Sequence, residues 1–145
     1  MKLSIIVPVF NMAAEGKLEY CLDSLVNQTV EDYEIIAVDD CSTDRSFEIL
    51  KDYEARFPEK FRAVHSEVNR HQGGAKNIGM KMAAGDWIGF IDSDDWITPD
   101  MYEKLIQRAE STGADLVGCD YCLTEEHSMK VGQIVPNNKK SQSGV

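Results

Sequence analysis

Long apolar runs are absent from this sequence. No stretch approaches the ~18 consecutive apolar residues that a membrane-spanning helix needs, so we expect no transmembrane segment. The amino-terminal residues reach Pro8 and Asn11 too soon for a signal peptide and indicate a first strand instead. These features predict a cytoplasmic protein, with the inner face of the membrane as an alternative location.

Positive charge is also scarce. The chain has 15 Lys and Arg residues against 25 Asp and Glu residues, which gives a net charge of −10. This balance argues against binding to nucleic acid or to an anionic membrane by bulk electrostatics. An anionic substrate would need a bridging cation, and the charge therefore favours a metal site.

Cysteine is sparse and lacks a zinc-binding pattern. The chain has 4 cysteines, and Cys119 and Cys122 have the CxxC spacing, but no second pair with zinc-ligand spacing accompanies them. Because disulfides are rare in the cytosol, we interpret these two, Cys21 and Cys41 as reduced structural thiols.

Apolar strands alternate with amphipathic helices along the 145 residues. The length suits about one domain, and the order predicts an α/β fold with a mostly parallel, Rossmann-like open sheet and helices on both faces. The third helix is predicted to open at Gly73 and Gly74, with Ala75, Ile78, Gly79 and Met82 on one side. The predicted strands span residues 3–9, 34–38, 61–65, 87–91 and 116–121.

Polar residues follow three of these strands. Asp92, Ser93, Asp94 and Asp95 follow the fourth, the pair Asp39–Asp40 follows the second, and Phe10 and Asn11 follow the first. Ligands of open α/β sheets bind beyond the carboxyl ends of the strands. Hard divalent cations often use one or two carboxylates together with substrate phosphates. The pattern thus predicts a metal between an Asp pair and a phosphorylated ligand, although a solvated acidic turn or helix cap is the alternative interpretation.

Six segments, in the same order, resemble the N-terminal nucleotide-sugar-binding half of family 2 glycosyltransferases, which have the GT-A fold. The resemblance covers roughly residues 3–121. Cys41 stands where the family usually has glycine, and Lys76 stands where it usually has arginine, whose bidentate fork lysine lacks. The matching segments are residues 4–11, 22–29, 34–44, 69–79, 85–87 and 90–95.

The resemblance implies roles for the residues after the first two strands. Phe10 would stack on the base, Pro8 would place a carbonyl near it, and Asp40 would accept a hydrogen bond from its ring NH. Asp39 is the more structural member of its pair. The residues expected to bind the donor nucleotide are Pro8, Val9, Phe10, Asn11, Asp39, Asp40, Asn69, Gly74, Lys76, Asp92 and Ser93.

The resemblance also implies a diphosphate site. Lys76 would meet the diphosphate near a helix start, which favours anions. Asp92 would contact the ribose, and Asp94 would hold Mg²⁺ or Mn²⁺, with Asp92 and Asp95 as further candidate ligands. Such a metal neutralises the departing nucleoside diphosphate.

Inverting transfer needs a general base, which in this family lies on a later segment. We therefore expect the base beyond Val145, the acceptor to be a saccharide or a lipid-linked molecule, and little transfer by this chain alone. Residues 1–123 are assigned to the donor-binding part, and the polar residues 124–145 to a tail or to the start of an acceptor-binding part. A magnesium-binding receiver-like signalling domain and a non-catalytic nucleotide-sugar-binding module are the alternatives.

Overall fold

The computed structural model describes residues 1–119, 121–124 and 131–135. A short 3₁₀ helix, Ala14–Gly16, precedes the first α-helix. The strands and α-helices are, in chain order, β1 Leu3–Val9, α1 Lys17–Val26, β2 Tyr33–Asp39, α2 Ser46–Arg56, β3 Phe61–His65, α3 His71–Met82, β4 Trp87–Phe90, α4 Met101–Thr112, β5 Tyr121–Thr124 and β6 Val131–Val135.

The first four strands form one parallel sheet in the order β3-β2-β1-β4. Every residue of β1 and β2 is buried, as expected for central strands that are covered on both faces. The chain moves from β1 through β2 to β3 and then crosses back to β4. Because such crossovers are right-handed, α1 and α2 cover one face and α3 covers the other. The predicted α/β fold is confirmed.

The strand order places a switch point between β1 and β4. Connections leave β1 towards β2 on one side, whereas β4 lies on the other side. At such a point the loops that follow the two strands diverge and leave a crevice. This crevice is bounded by the residues after β1 and after β4, which are the polar segments singled out by the sequence.

Helix α3 packs closely on the sheet through small residues. Ala75 and Gly79 are buried, and a Cβ at Gly79 would lie only 2.5 Å from Ile6 Cγ2. The predicted start at Gly73 is wrong, because the helix begins at His71. Met82, predicted on the same side as Ala75 and Gly79, is 37% exposed. Met82 lies in the final turn, where the helical spacing no longer selects the buried face.

A buried polar clamp joins β1, β2 and the segment just before β4 at the amino edge of the sheet. Glu34 Oε1 accepts hydrogen bonds from the Ser4 hydroxyl at 2.7 Å and from the Ala84 NH at 2.8 Å. The Ser4 oxygen accepts a further bond from the Gly85 NH at 2.9 Å. Glu34 is 2% exposed, so these bonds are largely shielded from water.

The later residues depart from the predicted fifth strand. Residues 116–119 form no strand, Leu116 is 91% exposed, and β5 begins at Tyr121 and pairs antiparallel with β6. Periodicity alone cannot fix the bounds of such a short apolar run. The contacts between residues divide the chain into two compact units, Met1–Tyr102 and Glu103–Val145.

The predicted division at residue 123 concerns binding roles, not contacts, and stays a prediction. Most of the predicted tail, residues 124–145, lies outside the described residues. Across all the residues that the structure describes, from the first strand onwards, no helix is long and apolar enough to cross a membrane.

Candidate functional site

An open cleft of about 330 Å³ lies at the switch point. It brings together the end of β1, the first residue after β2, the first turns of α3 and the acidic segment after β4. Seven of its lining residues are predicted site residues, and Met12, Gln72 and Ala75 are additional. The lining residues are Pro8, Val9, Phe10, Met12, Asp40, Gln72, Ala75, Asp92, Ser93 and Asp94.

One end of the cleft combines an exposed aromatic ring with a nearly buried carboxylate. Phe10 is 46% exposed, so it is not a core aromatic. Asp40 is 3% exposed. Its Oδ1 accepts a hydrogen bond from the Arg70 NH at 2.7 Å, and its own NH donates to the Val9 carbonyl at 2.8 Å. These bonds fix the Asp40 carboxylate beside the end of β1.

Asp39 lies beneath this end and does not line the cleft. It is fully buried, and its Oδ2 lies 2.8 Å from His65 Nδ1 and accepts a hydrogen bond from the Ser42 NH at 3.3 Å. Its Oδ1 is buried without a hydrogen-bond partner. These contacts fit the structural role that the sequence suggested for this residue.

Asn11 braces the loop after β2. Its backbone adopts a left-handed φ of 50°, a conformation that asparagine tolerates better than most residues. The Asn11 Oδ1 accepts hydrogen bonds from the Thr43 NH at 2.8 Å and the Thr43 hydroxyl at 3.3 Å, and the Asn11 NH donates to Ser42 Oγ at 2.9 Å. Asn11 thus supports the cleft without lining it.

Cys41 occupies a conformation that suits glycine. Its φ is 63°, where a side chain costs about 1–2 kcal/mol. Cys41 stands where the family usually has glycine, and the side chain is strained in this conformation. The Cys41 thiol donates to the Glu67 carbonyl at 3.4 Å, which offsets part of that cost.

Three carboxylates gather after β4. One oxygen from each of Asp92, Asp94 and Asp95 lies within 4.8 Å of the other two, and all three residues are exposed. Hard divalent cations prefer such oxygen ligands, and Mg²⁺ in particular uses one or two carboxylates with water and phosphate oxygens. The donor set therefore fits Mg²⁺ or Mn²⁺.

The crowded charges perturb nearby groups. Partial burial of its carboxyl group raises the pKa of Asp95, and the neighbouring carboxylates of Asp94 and Asp92 raise it further. Burial raises the pKa of the Cys21 thiol, and the negative charges of Asp95, Asp94 and Asp92 raise it further. This neutral thiol donates to the Asp92 carbonyl at 3.6 Å. Cys21, Cys41 and Cys119 form no disulfide within the described residues, and their reduced state stays a prediction.

Asp95→Asn is expected to stabilise the metal-free protein. Because the pKa of Asp95 is raised by folding, ionisation costs more in the folded state, and stability falls as pH rises through that titration. Removing the charge should raise the unfolding free energy in EDTA at pH 7 by less than about 1 kcal/mol. Thermal unfolding measures this, with the exposed Asp86→Asn as the matched control. A lower midpoint for Asp95→Asn would contradict the prediction.

The start of α3 supplies neutral and cationic side chains near the cleft. Asn69 Oδ1 accepts a hydrogen bond from the His71 NH at 2.9 Å. A Cβ at Gly74 would lie 2.5 Å from Arg70 Cβ, so glycine makes room for that side chain. The Lys76 ammonium lies 5.5 Å from the centroid of the Phe90 ring, and Lys76 does not line the cleft. Its predicted role at the diphosphate stays a prediction.

Sequence reasoning missed three lining residues. Gln72 and Ala75 lie inside the matching segment 69–79, so their position was a signal that could have identified them. Met12 has no comparable signal, because it follows the first polar segment and carries no chemistry of its own. Of the predicted residues, Asn11, Asp39, Asn69, Gly74, Lys76 and Asp95 lie outside the lining.

Solved structures define the class of protein. This chain is similar to S. aureus TarS 1–349 in complex with UDP, with a TM-score of 0.70 and 30% identity over 79% of this chain and 34% of that one. The TarS complex with UDP-GlcNAc gives a TM-score of 0.69 and 30% identity, over 79% and 33% of the two chains. The fold is thus the GT-A fold of these glycosyltransferases.

The family follows from the sequence comparisons. The model of glycosyl transferase family 2 matches residues 4–138, and the chain belongs to that family. It is 43% identical over 119 residues to an uncharacterized glycosyltransferase, EpsJ, of Bacillus subtilis, covering 82% of this chain and 33% of that protein. It is 49% identical over 119 residues to a poly(ribitol-phosphate) beta-glucosyltransferase of Bacillus spizizenii, covering 80% and 18%.

Two consequences follow from these matches. The resemblance drawn from the sequence is confirmed, and membership of the family replaces the receiver-domain alternative. The chain spans a third or less of the length of these two relatives. Two thirds or more of each of these relatives therefore lies outside the region that matches this chain.

Proposed function

We propose that this protein binds a UDP-sugar in the cleft at the switch point and forms the donor-binding part of an inverting glycosyltransferase. The observation that carries the proposal is the meeting of Phe10 and Asp40 with the Asp92–Asp94 segment in one cleft. An aromatic ring and a fixed carboxylate at one end, with clustered carboxylates at the other, match a base and a metal-bound diphosphate. The TarS complexes with UDP and UDP-GlcNAc support a donor of this kind.

The base end of the cleft favours uracil. Asp40 is an acceptor held by the Arg70 NH, and a second carboxylate oxygen remains to accept the ring NH of uracil. Cytosine has no NH at the corresponding ring position, so it cannot form that bond. Phe10 has the exposure that stacking requires.

The acidic end suits a divalent cation. Asp94, with Asp92 and Asp95 beside it, would hold Mn²⁺ or Mg²⁺. When bound, the ion neutralises charge on the leaving nucleoside diphosphate. The protein's own contribution is to fix these carboxylates near the position of the diphosphate. Negative charge develops there as the bond to the sugar breaks, and interactions that strengthen at that moment accelerate the reaction.

Transfer needs an acceptor hydroxyl and a base within hydrogen-bond reach of it. We assign the carboxylates of the described cleft to donor and metal roles, and we place the base on a later segment. The acceptor is a saccharide or a lipid-linked molecule, as in surface polysaccharide synthesis at the inner face of the membrane. The poly(ribitol-phosphate) beta-glucosyltransferase named above supports a polymeric acceptor.

UDP with Mn²⁺ is expected to stabilise the protein more than GDP, CDP or TDP with Mn²⁺ does. A ligand that binds only the folded state raises apparent stability by mass action, and the Asp40 acceptor disfavours cytosine. Thymine carries the same ring NH as uracil, so the margin over TDP rests on the C5 methyl group and the deoxyribose of TDP and should be smaller. Thermal shifts for the four nucleotides, each with Mn²⁺ or EDTA, measure the preference. Asp40→Asn, which replaces one of the acceptor oxygens with a donor, should reduce it. Equal shifts for all four nucleotides would contradict base recognition in this cleft.

A further inference from the structure

A hydrogen bond links the start of α3 to the acidic segment after β4. The Gln72 amide nitrogen donates to Asp92 Oδ1 at 2.8 Å, across 20 residues of sequence. Gln72 is the second residue of α3, and both side chains are exposed and line the cleft. The bond therefore joins two elements that are distant in sequence and that both line the candidate donor site.

The backbone of Asp92 is already held by other groups. Its carbonyl accepts a hydrogen bond from the Asp95 NH at 3.0 Å, and the Cys21 thiol donates to the same oxygen at 3.6 Å. Neither contact restrains the rotation of the Asp92 side chain. Within residues 1–119, Gln72 is the protein group that engages the Asp92 carboxylate.

We infer that Gln72 is a positioning residue that orients the Asp92 carboxylate towards the cation and the diphosphate. The inference rests on the proposed function. By occupying Oδ1, Gln72 leaves Oδ2 of Asp92 for the ligand. Partners of metal-binding carboxylates commonly fix ligand orientation in this way, and their loss costs ~10–100-fold in metal affinity.

The chemistry of glutamine suits this position better than that of a charged residue. A lysine or arginine would place a cation beside the carboxylates and compete with the metal ion. A glutamate would add a fourth negative charge to the three carboxylates, where Asp94 and Asp92 already raise the pKa of Asp95. The neutral amide restrains the carboxylate without changing the net charge of the site.

Gln72→Met removes the amide donor while keeping side-chain length and a similar helix propensity. We expect the Mn²⁺ concentration that half-saturates the UDP-dependent thermal shift to rise ~10-fold. The affinity for UDP in EDTA, measured by calorimetry, should change by less than ~2-fold, because the base contacts remain. The matched control is Gln107→Met, at an exposed residue of α4, which should change neither quantity.

A double-mutant cycle separates positioning from a general structural effect. If Gln72 acts through Asp92, adding Gln72→Met to Asp92→Ala should cause no further loss of Mn²⁺ response. Additive losses, or an equal loss of UDP affinity in EDTA, would overturn the inference. An unchanged Mn²⁺ response in Gln72→Met would also overturn it, while leaving the proposed function intact. A wild-type protein without any Mn²⁺-dependent response to UDP would overturn both.

Discussion

Asp94→Ala is expected to abolish the Mn²⁺-dependent part of UDP binding. Asp94 lines the cleft and belongs to the three-carboxylate group whose ligand oxygens lie within 4.8 Å of one another. Losing an outer-shell partner costs ~10–100-fold in metal affinity, so losing a direct ligand should cost at least ~100-fold. The measurement is a Mn²⁺ titration of the UDP-dependent thermal shift.

The fold should survive this substitution. Asp94 is exposed, and its removal relieves repulsion within the acidic group, so the thermal midpoint in EDTA should not fall. The matched control is Asp115→Ala, at an exposed residue of the loop after α4, with an unchanged Mn²⁺ response. A normal Mn²⁺ response in Asp94→Ala would show that the metal assignment is wrong.

Glu34→Ala is expected to cause the largest loss of stability. Its Oε1 accepts hydrogen bonds from the Ser4 hydroxyl and the Ala84 NH, and the residue is 2% exposed. The Ser4 hydroxyl is buried, and leaving it without an acceptor should cost ~1–3 kcal/mol. The part-buried Ala84 NH should add a smaller amount, because water can reach it. Urea unfolding measures the loss as a lower midpoint.

Two variants sharpen this test. Glu34→Gln keeps an oxygen acceptor of the same reach and should recover much of the lost stability. Glu48→Ala removes an exposed carboxylate that pairs with Arg45 at 3.0 Å, and such pairs contribute ~0–1 kcal/mol. A loss for Glu34→Ala no larger than that for Glu48→Ala would show that the buried clamp contributes little.

The parallel sheet could be predicted because burial dictates its sequence. β1 and β2 are buried throughout, so they appear as continuous apolar runs. Residues 116–121 offered a similar signal over a shorter run, and there the prediction was wrong. A short apolar run fits more than one structure, and tertiary contacts decide which one forms.

The cleft residues could be predicted only where polar side chains directly follow an apolar strand. Asp40, Asp92 and Asp94 follow apolar runs, and a parallel sheet brings such residues to one edge. The role inferred for Gln72 was not predictable, because it depends on the distance between the start of α3 and the segment after β4. The left-handed backbone of Cys41 was signalled only by the glycine that the family usually has at this position, since the loop after β2 imposes that conformation.

The buried clamp and the cleft lie at opposite ends of the same strands. β1 has 7 residues, so about 20 Å separates the two ends. Effects of substitutions more than ~7–10 Å apart usually add without coupling. Changes that retune the cleft for another donor can therefore accumulate without eroding the clamp. This separation makes the scaffold evolvable, since new specificity at one end leaves foldability at the other intact.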